Sequence, residues 1–148
     1  MELYSHVHRT LDEKGRLVLP PAFRDQILAE VPEGKIVLTL HKGNIIGITP
    51  EQWTVAVNEL KKIKNPGPAA LQEKNGFFSH YAEVLVSKQG RIAIPSPLRT
   101  STDLGDDVSV LGLGGRFEIW PKGKFVETFK APVDASEEYE ANGVNLPF

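Results

Sequence analysis

The residues best suited to chemistry on an anionic partner are two arginines in matching settings. Arg16 closes Leu11-Asp12-Glu13-Lys14-Gly15-Arg16, and Arg91 closes Val86-Ser87-Lys88-Gln89-Gly90-Arg91. A guanidinium presents its donors as a rigid fork that fits a phosphate or the acceptor edge of a guanine. Lys14 and Lys88 stand at the tips of the same segments, where an ammonium suits phosphate contact that is insensitive to sequence. Arg9, just ahead of the first segment, joins this candidate set. Asp12 lies four residues before Arg16, so its carboxylate can orient the guanidinium through charge-assisted hydrogen bonds. The second segment has Ser87 there, which supports a turn but balances no charge. The first loop, with Asp12 and Glu13 against Lys14 and Arg16, is neutral; the second, with Lys88 and Arg91, carries +2. Gly15 and Gly90 supply the positive φ that such turns often need.

These segments belong to a longer repeat. Leu17-Val18-Leu19-Pro20-Pro21-Ala22-Phe23-Arg24 follows the first, and Ile92-Ala93-Ile94-Pro95-Ser96-Pro97-Leu98-Arg99 follows the second. Gly, Arg, Pro and the closing Arg all recur 75 residues apart. A shared register over so many positions implies a duplicated folding unit. Its expected order is a strand, a tight turn and a return strand forming a hairpin, a short helix, a second hairpin and a longer helix.

In the first copy the spacing predicts strand Tyr4–Leu11, return strand Leu17–Leu19 and helix Ala22–Ala29. Hairpin Ile36–Leu40 and Ile45–Ile48 follows, then a helix from Thr49-Pro50-Glu51-Gln52 to about Ile63. Thr49 and Gln52 have the spacing of a capping box, with Pro50 at the tolerated first position. Asn65-Pro66-Gly67-Pro68 marks a linker, and the helical turns after Ala69 are expected to break at Asn75-Gly76. The second copy repeats the plan as strands Tyr81–Val86 and Arg91–Ile94, helix Ser96–Thr100, hairpin Val108–Leu113 with Phe117–Trp120, and a shortened helix to Lys130. The expected organisation is α+β, mainly β, with residues 1–64 as one repeat, 65–80 as linker and short helical segment, 81–130 as the second repeat and 131–148 as an acidic, flexible tail.

The chain of 148 residues carries net charge −2, which gives no general support for a polyanionic partner. Residues 127–148, however, set Lys130 against Glu127, Asp134, Glu137, Glu138 and Glu140, a net −4, so residues 1–126 carry +2. The absence of Cys excludes disulfides and thiolate zinc sites and suits a reducing cytoplasm. No apolar run is long enough for a membrane-spanning helix.

Other residue types lead to plainer expectations. His6 and His8 would share one face of a strand, but neither His80 nor any other residue supplies an evident third ligand, so no metal site is expected. Arg24 and Arg99 end short helices and are expected to cap them or bridge to the other repeat. Trp53, Phe117, Trp120 and Phe125 are expected in the core or at subunit contacts. Gly112-Leu113-Gly114-Gly115 lacks the Lys-Ser/Thr of a phosphate loop. No nucleophile, base and orienting group can be assembled, and neither a cofactor nor a small-molecule substrate is expected.

With Asp-Glu-Lys-Gly-Arg, its continuation Leu-Val-Leu-Pro-Pro-Ala-Phe-Arg, the repeat Lys-Gln-Gly-Arg-Ile-Ala-Ile-Pro and the late Gly-Arg-Phe-Glu-Ile-Trp, residues Tyr4 to Phe129 resemble the MraZ family of the AbrB-like group. The family pattern places Asp four residues before Arg in both loops, and Ser87 departs from it. The resemblance implies an AbrB-like double-psi, swapped-hairpin barrel with flanking helices, and assembly into homo-oligomeric rings. It also implies sequence-specific binding of double-stranded DNA at repeated operator sites by a cytoplasmic, nucleoid-associated regulator, a repressor, of the bacterial cell-division and cell-wall gene cluster. On this reading Lys14, Arg16, Lys88, Arg91 and Arg9 contact DNA, and Asp12, Gly15, Ser87 and Gly90 shape the loops. The competing expectation is an oligomeric assembly module without sequence-specific DNA binding, towards which Ser87, the modest basicity and the acidic tail lean.

Overall fold

The computed structural model describes residues 1–148. The first repeat comprises β1 (His6–Thr10), β2 (Arg16–Val18), α1 (Pro21–Glu30), β3 (Lys35–His41), β4 (Asn44–Ile48) and α2 (Pro50–Leu60). α3 (Pro68–Ser79) connects it to β5 (Ala82–Leu85), β6 (Arg91–Ala93), α4 (Ser96–Ser101), β7 (Asp107–Gly112), β8 (Phe117–Pro121) and α5 (Lys122–Thr128); α6 (Ser136–Ala141) follows.

Local chemistry sets many of these boundaries. Gln52 N–H donates to Thr49 Oγ1 at 3.1 Å and Thr49 N–H to Gln52 Oε1 at 2.9 Å, the expected capping box. Lys42 and Gly43, at φ +50° and +80°, form the two-residue turn between β3 and β4, where positive φ at both positions matches the twist of the strands.

The two repeats interlock strand by strand. A six-stranded antiparallel sheet runs β1-β7-β8-β4-β3-β5, and β2 pairs with β6 in a separate two-stranded ribbon. Each repeat's first strand crosses to the other's second hairpin: β1 lies on β7 with Val7 opposite Val110, and β5 lies on β3 with Ala82 opposite Leu38. The hairpins meet at β4 and β8, centred on Ile46 opposite Glu118. One core results, in which Leu17, Phe23, Ile27 and Leu38 pack with Ile92, Leu98, Val110 and Phe117. Apolar burial is the main stabilising term in folding, and neither repeat encloses this cluster alone. Gly47 lets the sheet close at its centre, because the Phe117 ring occupies the space that a Cβ there would need.

Several expectations change. The chain is a mixed α and β protein whose strand pairing is antiparallel, but helices hold more residues than strands and the sheet ends open at β1 and β5, so no closed barrel forms. The first hairpin is only a loop: Asp12 N–H donates to Arg16 C=O at 3.0 Å, after which β2 leaves β1 for β6. That exchange turns Leu17 and Ile92 inward together. α2 ends at Leu60, short of Ile63. Asn75-Gly76 does not break α3, because the helix packs on the sheet at this point and a Gly76 Cβ would touch Leu40 at 3.4 Å. The tail contains α6. No helix is long and apolar enough to cross a membrane.

Candidate nucleic-acid interface

The β2–β6 ribbon places the two candidate arginines on one surface. Arg16 is opposite Ala93 and Arg91 is opposite Val18, two rungs along. Side chains alternate across a strand, so Leu17 and Ile92 enter the core at 2% and 1% exposure while Arg16, Val18, Arg91 and Ala93 face outward. Strand rise and spacing put the two arginine Cα atoms about 8 Å apart. Buried neighbours on the inner face anchor the ribbon, which gives the outward side chains a rigid base.

The flanking loops are near copies. Gly15 N–H donates to Asp12 C=O at 3.0 Å and Gly90 N–H to Ser87 C=O at 2.8 Å, with φ +73° and +83° at the glycines. Each loop also continues into the opposite repeat: Ile94 N–H donates to Gly15 C=O at 2.9 Å, and Leu19 N–H to Gly90 C=O at 2.8 Å.

The loops differ at Asp12 and Ser87. Asp12 Oδ1 accepts the backbone N–H of Lys14 and of Arg16, both at 2.9 Å, and Oδ2 accepts Arg16 Nε at 2.7 Å. The Arg16 backbone N–H, above all, holds the Asp12 carboxyl below its usual range, with the Arg16 side chain and the Lys14 N–H acting in the same sense. The Arg16 fork is thus oriented at Nε, and its terminal nitrogens remain available. Ser87 Oγ keeps only the backbone bond, accepting Arg91 N–H at 3.0 Å. The Arg91 guanidinium has no partner within the chain.

Lys14 and Lys88 are exposed at the loop tips. Arg9 is placed differently: it is half-buried on β1, its Nε donates to Val18 C=O at 2.9 Å, and Nη1 reaches His8 C=O at 3.3 Å. It ties β1 to β2 rather than standing free on the ribbon. Arg24 and Arg99 bridge to the other repeat, as expected. Arg99 packs under Gly15 and donates from Nε to Ile94 C=O at 3.1 Å, while Arg24 packs against Gly90 and pairs with Asp25. Val18 and Ala93, whose outward position depends on β2–β6 pairing, were not among the expected surface residues. The common 75-residue offset of the Gly and closing Arg positions was the available signal for the Arg24 and Arg99 contacts.

The remaining candidates lie elsewhere. His6 and His8 pack with Phe125, and His8 Nδ1 meets Ser109 Oγ at 2.7 Å. His80 bonds through Nε2 to Ser101 Oγ at 2.7 Å. Phe117 is fully buried, Trp53 stacks on Phe77 and Trp120 on Phe129. None of these aromatic rings stands on the ribbon face.

Comparison with known proteins gives matches over both repeats. The model of the family described as "MraZ protein, putative antitoxin-like" matches residues 77–142. The protein named Transcriptional regulator MraZ of Maridesulfovibrio salexigens is 42% identical over 149 residues, covering all of both chains. Its namesake in Solidesulfovibrio magneticus is 38% identical over 148 residues, covering 97% of each. That of Nitratidesulfovibrio vulgaris Hildenborough is 34% identical over 142 residues, covering 95% of each. The similarity thus takes in both loops, both ribbon strands and the hairpins that interlock them, and the chain belongs to the MraZ family.

Proposed function

We propose that the chain is a transcriptional regulator that binds double-stranded DNA through the outer face of the β2–β6 ribbon. The observation that carries this reading is the common face of Arg16 and Arg91. A two-stranded ribbon fits the major groove, and two guanidinium groups about 8 Å apart at their Cα atoms cover two to three base-pair steps of about 3.4 Å. Arg16, oriented by Asp12, is the base-reading residue. Lys14, Lys88 and the unpartnered Arg91 neutralise phosphates, while Arg9 ties β1 to the edge of the ribbon at Val18 C=O. Names of the full-length relatives support regulation of transcription.

The family resemblance extends this reading to an AbrB-like swapped-hairpin unit and a ring-shaped homo-oligomer at repeated sites. It adds repression of a cell-division and cell-wall gene cluster, in the cytoplasm at the nucleoid. In a ring, several weakly binding ribbons act together through effective concentration.

Titration of full-length protein with DNA from upstream of its own gene and with random DNA, at two salt concentrations, tests the proposal. Arg16→Ala should lose about 1–3 kcal/mol on the specific site and much less on random DNA. Lys88→Ala should weaken both and reduce the salt slope by about one unit. Unchanged specific binding by Arg16→Ala removes it from the reading role. The second reading is an assembly module without DNA specificity, favoured by the lack of any carboxylate orienting Arg91. No binding to either DNA at low salt would select it.

A further inference from the structure

Each repeat follows its long helix with seven residues and then another helix: 61–67 before α3, and 129–135 before α6. The two helices have different surroundings. α3 is docked, with Phe77 stacked on Trp53 at 4.7 Å and its backbone carbonyl accepting the Thr39 hydroxyl at 2.5 Å. α6 covers nothing: every residue from Ser136 to Phe148 is exposed.

The sheet explains the difference. About the central pair Ile46 and Glu118, the strand register sets Ser109, Glu118 and Trp120 in the places of Val37, Ile46 and Ile48. Val37, Ile46 and Ile48 form the apolar floor under Phe77. At the corresponding place Ser109 bonds His8, Glu118 takes both Arg116 and Trp120 Nε1, and Phe125 and Phe129 cover the surface. An apolar helix has no floor there.

Yet the ends of α6 are specified. Asp134 Oδ1 accepts the Ser136 N–H at 3.0 Å. At the other end Gly143 adopts φ +67°, its N–H donates to Glu140 C=O at 3.1 Å, and Val144 N–H donates to Tyr139 C=O at 2.8 Å. This is a Schellman closure, which brings Val144 towards Tyr139. A six-residue helix is marginal in water without tertiary burial. Tyr139, Val144, Leu146 and Phe148 nevertheless stand 45%, 42%, 51% and 98% exposed. A segment with both ends defined and its apolar residues uncovered has the form of a docking element.

A complementary surface lies between α2 and α3. There a groove of about 350 Å³ is lined by Leu60, Ile63, Ala70 and Phe77, with Glu59 and Glu73 also on its wall. Lys74 also lines it, and Lys61, Lys62 and Lys64 flank Ile63. Lys62 pairs with Glu59, but Lys61, Lys64 and Lys74 have no carboxylate partner within the chain. The segment 134–148 carries Asp134, Glu137, Glu138 and Glu140 and no Lys or Arg. With Lys61, Lys62, Lys64 and Lys74 set against Glu59 and Glu73, the groove and its rim carry +2, opposite in sign to the −4 of the segment, and in its own chain the segment stands clear of the groove.

We propose that the α2–α3 groove receives residues 136–148 of a second copy of this chain, with Tyr139, Val144 and Leu146 as apolar anchors and the unpaired lysines facing the glutamates. The contact is independent of the DNA-binding reading.

The chain has no Cys, so single thiols report the contact directly. Full-length Ile63→Cys and isotope-labelled Val144→Cys chains are mixed and treated with a short bis-maleimide linker. Mass spectrometry should show the Ile63→Cys to Val144→Cys pair at least tenfold above a Glu33→Cys to Val144→Cys control. Tyr139→Ala, which alters an exposed residue, should lower the yield at least fivefold. Lys61→Glu with Lys74→Glu should do the same, with recovery when Glu138→Lys and Glu140→Lys are placed on the Val144→Cys chain. A yield at the control level overturns the proposal. So does a link confined to single chains of the Ile63→Cys, Val144→Cys double variant, which would make the chain's own tail the occupant.

Discussion

Gly15 rests on Arg99 of the other repeat: a methyl group added to Gly15 would lie 2.8 Å from both Cζ and Nε of the arginine, whose Nε is engaged by Ile94 C=O. The Gly-Arg loop of one repeat is therefore propped by a helix of the other. The duplicated unit is a working pair, with the geometry of each loop depending on its partner.

Gly15→Ala should destabilise the fold by about 1–2 kcal/mol from its φ of +73° alone, with the Arg99 clash adding to this. In an Arg99→Ala background the cost should fall to the backbone part. Urea denaturation of the four chains measures both; equal costs in the two backgrounds would show that Arg99 moves aside freely.

Asp12 carries a depressed pKa, so its bonds to the loop stabilise the folded state fully above the ordinary carboxylate value near 4, and the contribution disappears as pH falls through the lowered value. Asp12→Asn should therefore melt below the parent at pH 7, and the gap should close on acidification below about pH 4. Melting curves from pH 7 to pH 2.5 test this, and a constant gap would contradict it.

Gly47→Ala should cost at least about 1–3 kcal/mol, because the fully buried Phe117 ring fills the site of the new methyl group. Phe117→Leu should absorb part of that penalty. In a double-mutant cycle the pair should be less destabilising than the sum of the single changes by about 0.5–3 kcal/mol. Simple additivity would mean that the backbone at Gly47 shifts instead.

Ser87→Asp restores a carboxylate four residues before Arg91 and lowers the charge of that loop from +2 to +1. By analogy with Asp12 and Arg16, the new side chain should bond Arg91 Nε. On the proposed DNA reading, affinity for random DNA should fall and the salt slope should shrink by about one unit. Binding isotherms at 50 and 200 mM salt measure both, and an unchanged slope would place Arg91 off the phosphates.

Much of the local structure was legible because its causes are local. The box of Thr49 and Gln52, the turn at Lys42-Gly43, the glycines at positions 15 and 90 and the proline starts of α1 and α4 each follow from residues within a few positions of one another. The closure of α6 at Asn142-Gly143-Val144 was equally local, but the polar and acidic composition around it pointed to a flexible tail. The Asp12–Arg16 contact followed from the same four-residue spacing.

The sequence by itself determined that the unit is duplicated, that two Gly-Arg loops occupy equivalent positions in it, and where most elements begin and end. The tertiary structure alone decided which strands pair. Alternating apolar residues state which face of a strand is buried but not against what, so β2 could close a hairpin on β1 or cross to β6. The crossing prevails where Leu17 and Ile92 share one core, and that choice turns Arg16 and Arg91 to the same side. It also brings Arg9 of β1 to the edge of the ribbon at Val18 C=O, a contact that depends on how the strands are arranged and not on local sequence.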